Sequence, residues 1–424
     1  MASSASLRIV LPLLTIGVLS SQTPAPQRPF FAANPSDSLR IAQLKQAVDS
    51  GNRTAALVSF WEEVRKNGAP LIEPIPGEPQ YSWVTFLWQA KENTANVVVI
   101  DGVASAVGGG DAAKSMMSQM PKTDLWYRTY KVRNDAAFTY WLSPNDSMEW
   151  LITTEPRNSK PQADPLNPHQ LGPQSYVELP DAPASAKIAL PLSGKVERTT
   201  LTSSILKNSR DVWVYTPPGY QPSEETYPLL VVMDGGAYNS MVPLPVILDN
   251  LIAEKRIPPL VAILVGNVNR TVELSCYGPF SDFLATELVP WTRTNYHATA
   301  DPGRTIIGGS SLGGLAAAFA GFQHPEVFGN VLSQSGSNWW KPVQDVEPEW
   351  LARQFASAPK RAIRISMSVG LMEVPQQLDT NRHLRDVLTA KGYFVDYAEF
   401  NGNHSYLNWR ADFSNRLIGL SLQR

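Results

Sequence analysis

Gly309-Ser310-Ser311-Leu312-Gly313 sets two hydroxyls between glycines, after the apolar run of RTIIGGSS and before the small-residue stretch 313–323. In a strand–turn–helix context, G-x-S-x-G places a serine on a sharp turn. Side chains on the flanking positions would collide with the neighbouring strand and helix. The register makes Ser311 the nucleophile and Ser310 the variable position. The Leu312 N–H, at the start of a helix, is an oxyanion donor. A serine hydroxyl is a weak nucleophile at neutral pH and needs a histidine base and an orienting acid. Five histidines are available. His169 lies in a proline-rich stretch, His297 precedes a strand, His324 ends the helix after the turn and His383 sits on an amphipathic helix. His404, in FNGNHSYLNW, follows the last apolar strand, where the chain order serine–acid–histidine expects the base. Glu373, three residues past Gly370 at the end of RISMSVG, is the acid candidate; the other reading is a solvated loop carboxylate. Asp379 and Asp386 fall within the following helix pattern.

The remaining groups belong at the carboxyl ends of the same strands, where α/β sheets gather ligands. LLVVMDGGAYN offers the second oxyanion donor from Gly236 and Ala237, with Asp234 orienting the turn. Arg270, after AILVGNVN, is either a surface arginine or a cation for substrate. With one cysteine, Cys276, no intrachain disulfide or cysteine metal cluster is available, and no cofactor or metal is expected.

The elements that must hold these groups divide the chain. After about residue 190, the strand-like runs DVWVYTPPGY, PLLVVMDGG, LVAILVGNV, RTIIGGSS, NVLSQSGS, AIRISMSVG and FVDYAEF alternate with helical segments at 244–255, 281–295, 313–323 and 376–391. Continuous apolar runs mark strands buried on both faces, hence a mostly parallel sheet in an α/β domain spanning 191–424. Before it, YSWVTFLWQA, NVVVID, DLWYRTYKV and AAFTYWLSP alternate with period two and predict a small immunoglobulin-like β-sandwich at about 71–155. Two helices precede it within a domain of 23–155. The first is capped at Ser36 or Asp37 and buries Leu39, Leu44 and Val48; the second repeats Leu57, Phe60, Trp61 and Val64. The stretch 156–190, dense in proline, reads as a linker.

At 424 residues, with 36 Lys+Arg against 38 Asp+Glu and no charge blocks, nothing points to a nucleic-acid or polybasic membrane partner. Residues 1–22 carry Arg8 and then an apolar run too short for a stable anchor. They predict a cleaved export signal and a periplasmic or secreted location, with no membrane attachment after cleavage, or a cytoplasmic one if the segment is not a signal. Oligomeric state is not legible.

DGGAYN, NRTVEL with FLATELVPW, IIGGSSLGGLAAAF, SQSGSNWW and NGNHSYLNWR together resemble the catalytic half of the enterochelin (enterobactin) esterases, a branch of the α/β-hydrolases. FWEEVRKNGAPLIEPIPG, VTFLWQA, MPKTDLWYRTYKV, FTYWLSP, DPLNPH and VELPDAP resemble that family's N-terminal half. The resemblance implies hydrolysis of a serine-based catecholate trilactone, usually iron-loaded, so that iron is released. It puts Ser311, His404 and Arg270 on the nucleophile, the base and an arginine near substrate. It also makes Trp339 and Trp340 an aromatic pair that stacks on catechol rings, with the sandwich and linker (His169 included) roofing the site. Family members are usually cytoplasmic, so the leader sets this chain apart. Two other readings stay open at this point. One is a secreted esterase for phenolic or sugar esters carrying a carbohydrate-binding-like module; the other is a binding protein on an inactive scaffold. On the esterase reading, the catalytic domain from about residue 188 is expected to turn over small p-nitrophenyl esters unaided.

Overall fold

The period-two alternation of YSWVTFLWQ and LWYRTYKVR becomes an antiparallel pair, Tyr81–Gln89 with Leu125–Arg133, in the register Val84↔Tyr130. The structure, a computed structural model, describes residues 30–32, 38–91, 93–151, 157–183, 191–222 and 226–421. The segment 1–22 read as an export signal lies outside them. Phe30–Ala32, Leu71–Pro74 and Ser118–Gln119 extend that pair into one sheet. Val97–Ile100, Ala137–Pro144, Gln174–Glu178 and Gln170–Leu171 form a second. Val84, Phe86, Tyr130 and Val132 of the first pack on Val97, Val99, Phe138, Tyr140 and Val177 of the second. Full burial of each such side chain contributes about 1.5–3 kcal/mol.

The stretch read as a linker is therefore partly sandwich. Gln174–Glu178 pairs with Ala137–Pro144, because Pro173 and Pro180 fall just outside a strand whose Ser175 and Val177 point inward. Asp164 in the same stretch is buried, accepting from the Tyr140 hydroxyl (2.7 Å) and the Leu166 N–H (2.9 Å). Burial raises its pKa to about 6 against these hydrogen bonds.

Helices Leu39–Asp49 and Arg53–Asn67 cover the outer sheet. Ser38 caps the first by accepting from the Ile41 N–H at 3.2 Å; the expected caps, 36 and 37, lie outside the described residues. Ile41, Leu44 and Val48 face inward, whereas Leu39, expected with them, is 65 % exposed. It stands two residues, about 200° of helix rotation, from Ile41.

In the second half, eight strands run in the spatial order Lys195–Ser203, Asn208–Thr216, Val261–Val265, Leu229–Val232, Thr305–Ser310, Asn330–Gln334, Arg364–Gly370, Phe394–Phe400. The last six are parallel, and the first two form an antiparallel hairpin at one edge. Helices cover both faces. Leu312–Gln323, Trp350–Ser357 and Pro375–Ala390 pack on one side, Leu244–Ala253 and Tyr406–Ser421 on the other. This is the α/β-hydrolase arrangement. Strand Leu229–Val232 lies between Val261–Val265 and Thr305–Ser310, so the strand order reverses there and opens a crevice at the carboxyl ends. Among the described residues, no helix is long and apolar enough to cross a membrane.

Candidate active site

Ser311 leaves strand Thr305–Ser310 with φ 58° and ψ −126°, a region a non-glycine residue occupies only at a cost of about 1–3 kcal/mol. Its neighbours hold it there. The Ser311 N–H donates to the Gln334 carbonyl (2.9 Å), and its own carbonyl accepts from the Ser337 N–H (3.0 Å). A Cβ on Gly309 would stand 2.7 Å from the Gly313 carbonyl carbon, and one on Gly313 would meet Asp234 Oδ2 and Met233 Cβ at 3.2 Å. The glycine spacing is therefore steric, and it brings the serine turn against the Asp234 turn.

Ser311 Oγ lies 2.8 Å from His404 Nε2, and His404 Nδ1 lies 2.6 Å from Glu373 Oε2. Glu373 is buried. Its Oε1 accepts from the Ser335 hydroxyl (2.5 Å) and the Gly370 N–H (2.8 Å), and Ser335 Oγ accepts from Trp409 Nε1 (3.0 Å). A carboxylate facing Nδ1 keeps the proton there and leaves Nε2 as acceptor for the serine hydroxyl. Desolvation, the largest influence on His404, lowers its pKa. The charge and hydrogen bond of Glu373, with the charge of Asp101, outweigh it and raise the pKa above 6.5.

The loop that carries His404 is fastened to the sandwich. The Thr139 N–H donates to Asn403 Oδ1 (3.1 Å), and Asn403 Nδ2 donates to the Thr139 carbonyl (3.2 Å) and hydroxyl (3.1 Å). The Ala137 N–H donates to the Asn401 carbonyl at 3.1 Å. Met372, beside the acid, is part of the sandwich core. Sequence reasoning missed Thr139, Ser335 and Asn403; only Asn403, next to the histidine in an Asn/Gly loop, gave a local signal.

A cavity of about 390 Å³ opens at this junction, lined by Ile100, Asp101, Ser105, Trp141 and Leu151 of the N-terminal half and by Met372, Glu373, Val374, Gln377 and His404. Asp101 was also missed. It holds φ 72°, ψ −177°, a strained conformation for a non-glycine residue. Burial raises its pKa, opposed by Asn403, the Gly102 N–H and His404. His169, expected in the roof, is exposed beside Tyr176 and does not line the cavity.

Leu312 and Gly236 are the first and second residues of helices Leu312–Gln323 and Gly235–Ser240, so their N–H groups have no acceptor within the helix. Ala237 differs from expectation: its N–H is given to the Asp234 carbonyl at 2.9 Å, because the turn has already closed into helix there. Asp234, with φ 57°, starts that turn. Its Oδ1 accepts from Asn267 Nδ2 (2.5 Å) and Arg270 Nε (2.7 Å), and its Oδ2 from Arg270 Nη2 (2.8 Å). Arg270, 39 % exposed, borders a second cavity of about 370 Å³ with Gly236, Trp213 and Tyr406. The arginine is thus both at the crevice and tied to the turn.

The tryptophans separate. Trp339 Nε1 donates to Gln377 Oε1 at 2.8 Å, at the border of the first cavity. Trp340 packs edge-on against Trp350, 6.0 Å between centroids, at the edge of the hydrophobic core, and lines neither cavity. The expected stacking pair is thus divided between two sets of partners, Gln377 for Trp339 and Trp350 for Trp340.

Residues 203–420 match the esterase family, and residues 83–188 match the N-terminal family of enterochelin esterases. The iron(III) salmochelin esterase of Escherichia coli O6:H1 is 28 % identical over 400 residues, covering 87 % of this chain and 95 % of that protein. The iron(III) enterobactin esterase of Dickeya dadantii is 28 % identical over 425 residues, covering 89 % and 94 %. The crystal structure of the enterobactin esterase of Shigella flexneri in the presence of enterobactin superposes with a TM-score of 0.70 at 27 % identity, covering 85 % of this chain and 97 % of that one.

Proposed function

Because this chain belongs to the enterochelin esterase family, we propose that it is a serine esterase cleaving the ester bonds of a catecholate siderophore of the enterobactin type through an acyl-enzyme. The observation that carries the reading is the unbroken relay from Ser311 Oγ through His404 to Glu373, at 2.8 and 2.6 Å. Ser311 Oγ attacks the lactone carbonyl while His404 Nε2 takes its proton, and Glu373 stabilises the resulting imidazolium. The N–H groups of Leu312 and Gly236 receive the developing oxyanion. Collapse breaks the acyl–oxygen bond, and His404 returns the proton to the departing seryl alkoxide. Water, deprotonated by the same imidazole, then releases the carboxylate and restores Ser311. Opening the trilactone destroys the preorganised chelate and weakens its hold on iron.

Arg270 at the crevice is the cation for an anionic part of the substrate, and Trp339, bonded to Gln377 at the border of the first cavity, is an aromatic face for one of its rings. We place the enzyme in the periplasm or outside the cell, on the strength of segment 1–22. The match of residues 83–188 to the enterochelin esterase N-terminal family supports a siderophore over a sugar ester.

A fluorophosphonate tests the mechanism. Intact-mass analysis is expected to show one adduct on the native protein and none on Ser311→Ala. Labelling that survives Ser311→Ala contradicts the assigned nucleophile.

A further inference from the structure

Tyr406 stands two residues after His404 and opens helix Tyr406–Ser421, yet the two side chains line different cavities. His404 lines the one beside Glu373, and Tyr406 the one of about 370 Å³ that Gly236 and Arg270 border. Their common support is well fixed. The Ser405 carbonyl accepts from the N–H groups of Asn408 and Trp409, both at 3.1 Å. The Trp409 ring stands perpendicular to His404 at 4.8 Å and to Tyr406 at 5.0 Å, and Tyr238 adds a second perpendicular contact to Tyr406 at 6.3 Å. Edge-to-face contacts of this kind hold a ring without using its hydroxyl. Among the described residues, the half-buried Tyr406 has no hydrogen-bond partner for that hydroxyl.

The carboxylates that line this cavity are already paired. Asp234 accepts from Asn267 and Arg270, and Asp211 accepts from Arg198 Nη2 (2.5 Å) and Thr200 Oγ1 (3.3 Å). Asn267 Oδ1 has no partner among the described residues, but it is buried. What the side chains still offer is donors. Arg270 uses Nε and Nη2 on Asp234, which leaves Nη1, and Tyr406 keeps its O–H. Burial and the charge of Asp234 push the Tyr406 phenol up to about 12 against the pull of Arg270, so the group stays a neutral donor at working pH. A guanidinium and a phenol beside paired carboxylates suit a ligand oxygen that is anionic and can only accept.

We propose that Tyr406 is a specificity-determining residue whose hydroxyl donates a hydrogen bond to the anionic oxygen that Arg270 draws into this cavity. The inference rests on the siderophore reading for the identity of that oxygen, a catecholate oxygen of the arm on the acyl side, and on the cavity alone for its chemistry. In a ferric tris-catecholate every phenolic oxygen is deprotonated, and each keeps a lone pair beside its bond to iron, so an iron-loaded arm can accept from Tyr406. The Gly236 N–H, which receives the oxyanion, borders the same cavity, and this puts the arm on the acyl side of the scissile bond. The cavity beside His404 is left to the departing alkoxide that His404 reprotonates. At about 370 Å³ the Tyr406 cavity is in the range of small-molecule pockets.

Tyr406→Phe keeps the ring contacts and breaks no hydrogen bond within the described residues, so it is expected to keep the native thermal midpoint. Its kinetics then report the hydroxyl alone. The measurement is kcat/KM on ferric enterobactin and on two p-nitrophenyl esters, one of butyrate and one whose acyl chain ends in a carboxylate. The readout is the ratio of the carboxylate ester to the butyrate, because an effect on the triad moves both alike. The variant is expected to lower that ratio about tenfold or more, the worth of one hydrogen bond to a charged group, through KM rather than kcat. Its kcat/KM on ferric enterobactin is expected to fall with it. In the Ser311→Ala background, adding Tyr406→Phe is expected to weaken ferric enterobactin binding, read by fluorescence quenching, by a similar factor. If the native enzyme neither binds nor cleaves ferric enterobactin while the ester ratio depends on Tyr406, the siderophore reading fails and the role of Tyr406 stands. An unchanged ratio overturns the proposal, whether the rates are native or lowered alike on both esters. A variant that keeps the native kcat/KM on ferric enterobactin overturns it as well.

Discussion

Asn403 Oδ1 and Nδ2 close a reciprocal pair of hydrogen bonds, at 3.1 and 3.2 Å, with the backbone N–H and carbonyl of Thr139. They join the residue next to the base His404 to a strand 264 positions away, in the other half of the chain. Both partners are buried, so breaking the pair strands polar groups at about 1–3 kcal/mol each. Asn403→Ala is expected to lower kcat on p-nitrophenyl butyrate about ten- to a hundredfold with a smaller change in KM, as mispositioned catalytic groups do. An unchanged kcat in a stably folded variant would show that the loop holds His404 unaided.

The same contact argues against the expectation, made on the esterase reading, that the catalytic domain from about residue 188 turns over small esters unaided. Removing residues 1–190 takes away Thr139, the Ala137–Asn401 hydrogen bond and the core around Met372. The remaining half is expected to lose turnover on small esters as well as on large ones, measured with p-nitrophenyl acetate. Retained small-ester activity would return the sandwich to a role in substrate capture alone.

Raising the pH through the His404 pKa converts the imidazolium to the base that Ser311 needs, so kcat/KM is expected to rise along an acid limb. Glu373 raises that pKa by charge and hydrogen bond. Glu373→Gln is therefore expected to move the limb to lower pH while lowering the plateau about a hundredfold or more. A limb that moves up, or does not move, contradicts the assignment of Glu373 as the acid facing Nδ1.

Arg270→Ala leaves buried Asp234 without its guanidinium partner and loosens the turn that presents the Gly236 N–H. A roughly tenfold loss of kcat is expected even on a neutral ester, within the range for one oxyanion donor displaced rather than removed. A further rise in KM is expected for anionic esters. A variant that spares neutral esters entirely would make Arg270 a substrate contact and nothing more.

How much of this could be read from the sequence follows the range of each interaction. The Ser311 turn is dictated by sterics within five residues, which Gly309 and Gly313 display directly. The base and acid follow chain order at strand ends, which put His404 and Glu373 in view. Asp101 and Thr139 carried no comparable signal, because their meaning depends on how the sandwich docks against the second half. The proline count hid strand Gln174–Glu178, although its own residues alternate cleanly. Ala237 was one residue too far because the length of a turn before a helix closes is decided by backbone dihedrals, here the φ of 57° at Asp234. Trp340 was misplaced because adjacency in sequence says nothing about which of two rings faces the crevice.

The central claim is that Ser311 is the nucleophile of a siderophore esterase, and chromatography of enterobactin digests tests it most directly. The native enzyme is expected to convert the trilactone to linear dihydroxybenzoyl-serine products. Ser311→Ala is expected to lose on the order of 10⁴-fold or more, while Ser310→Ala, altered at the neighbouring hydroxyl, keeps most of its rate. Intact trilactone after prolonged incubation with native enzyme that turns over p-nitrophenyl esters, or linear products from Ser311→Ala at the native rate, would contradict it.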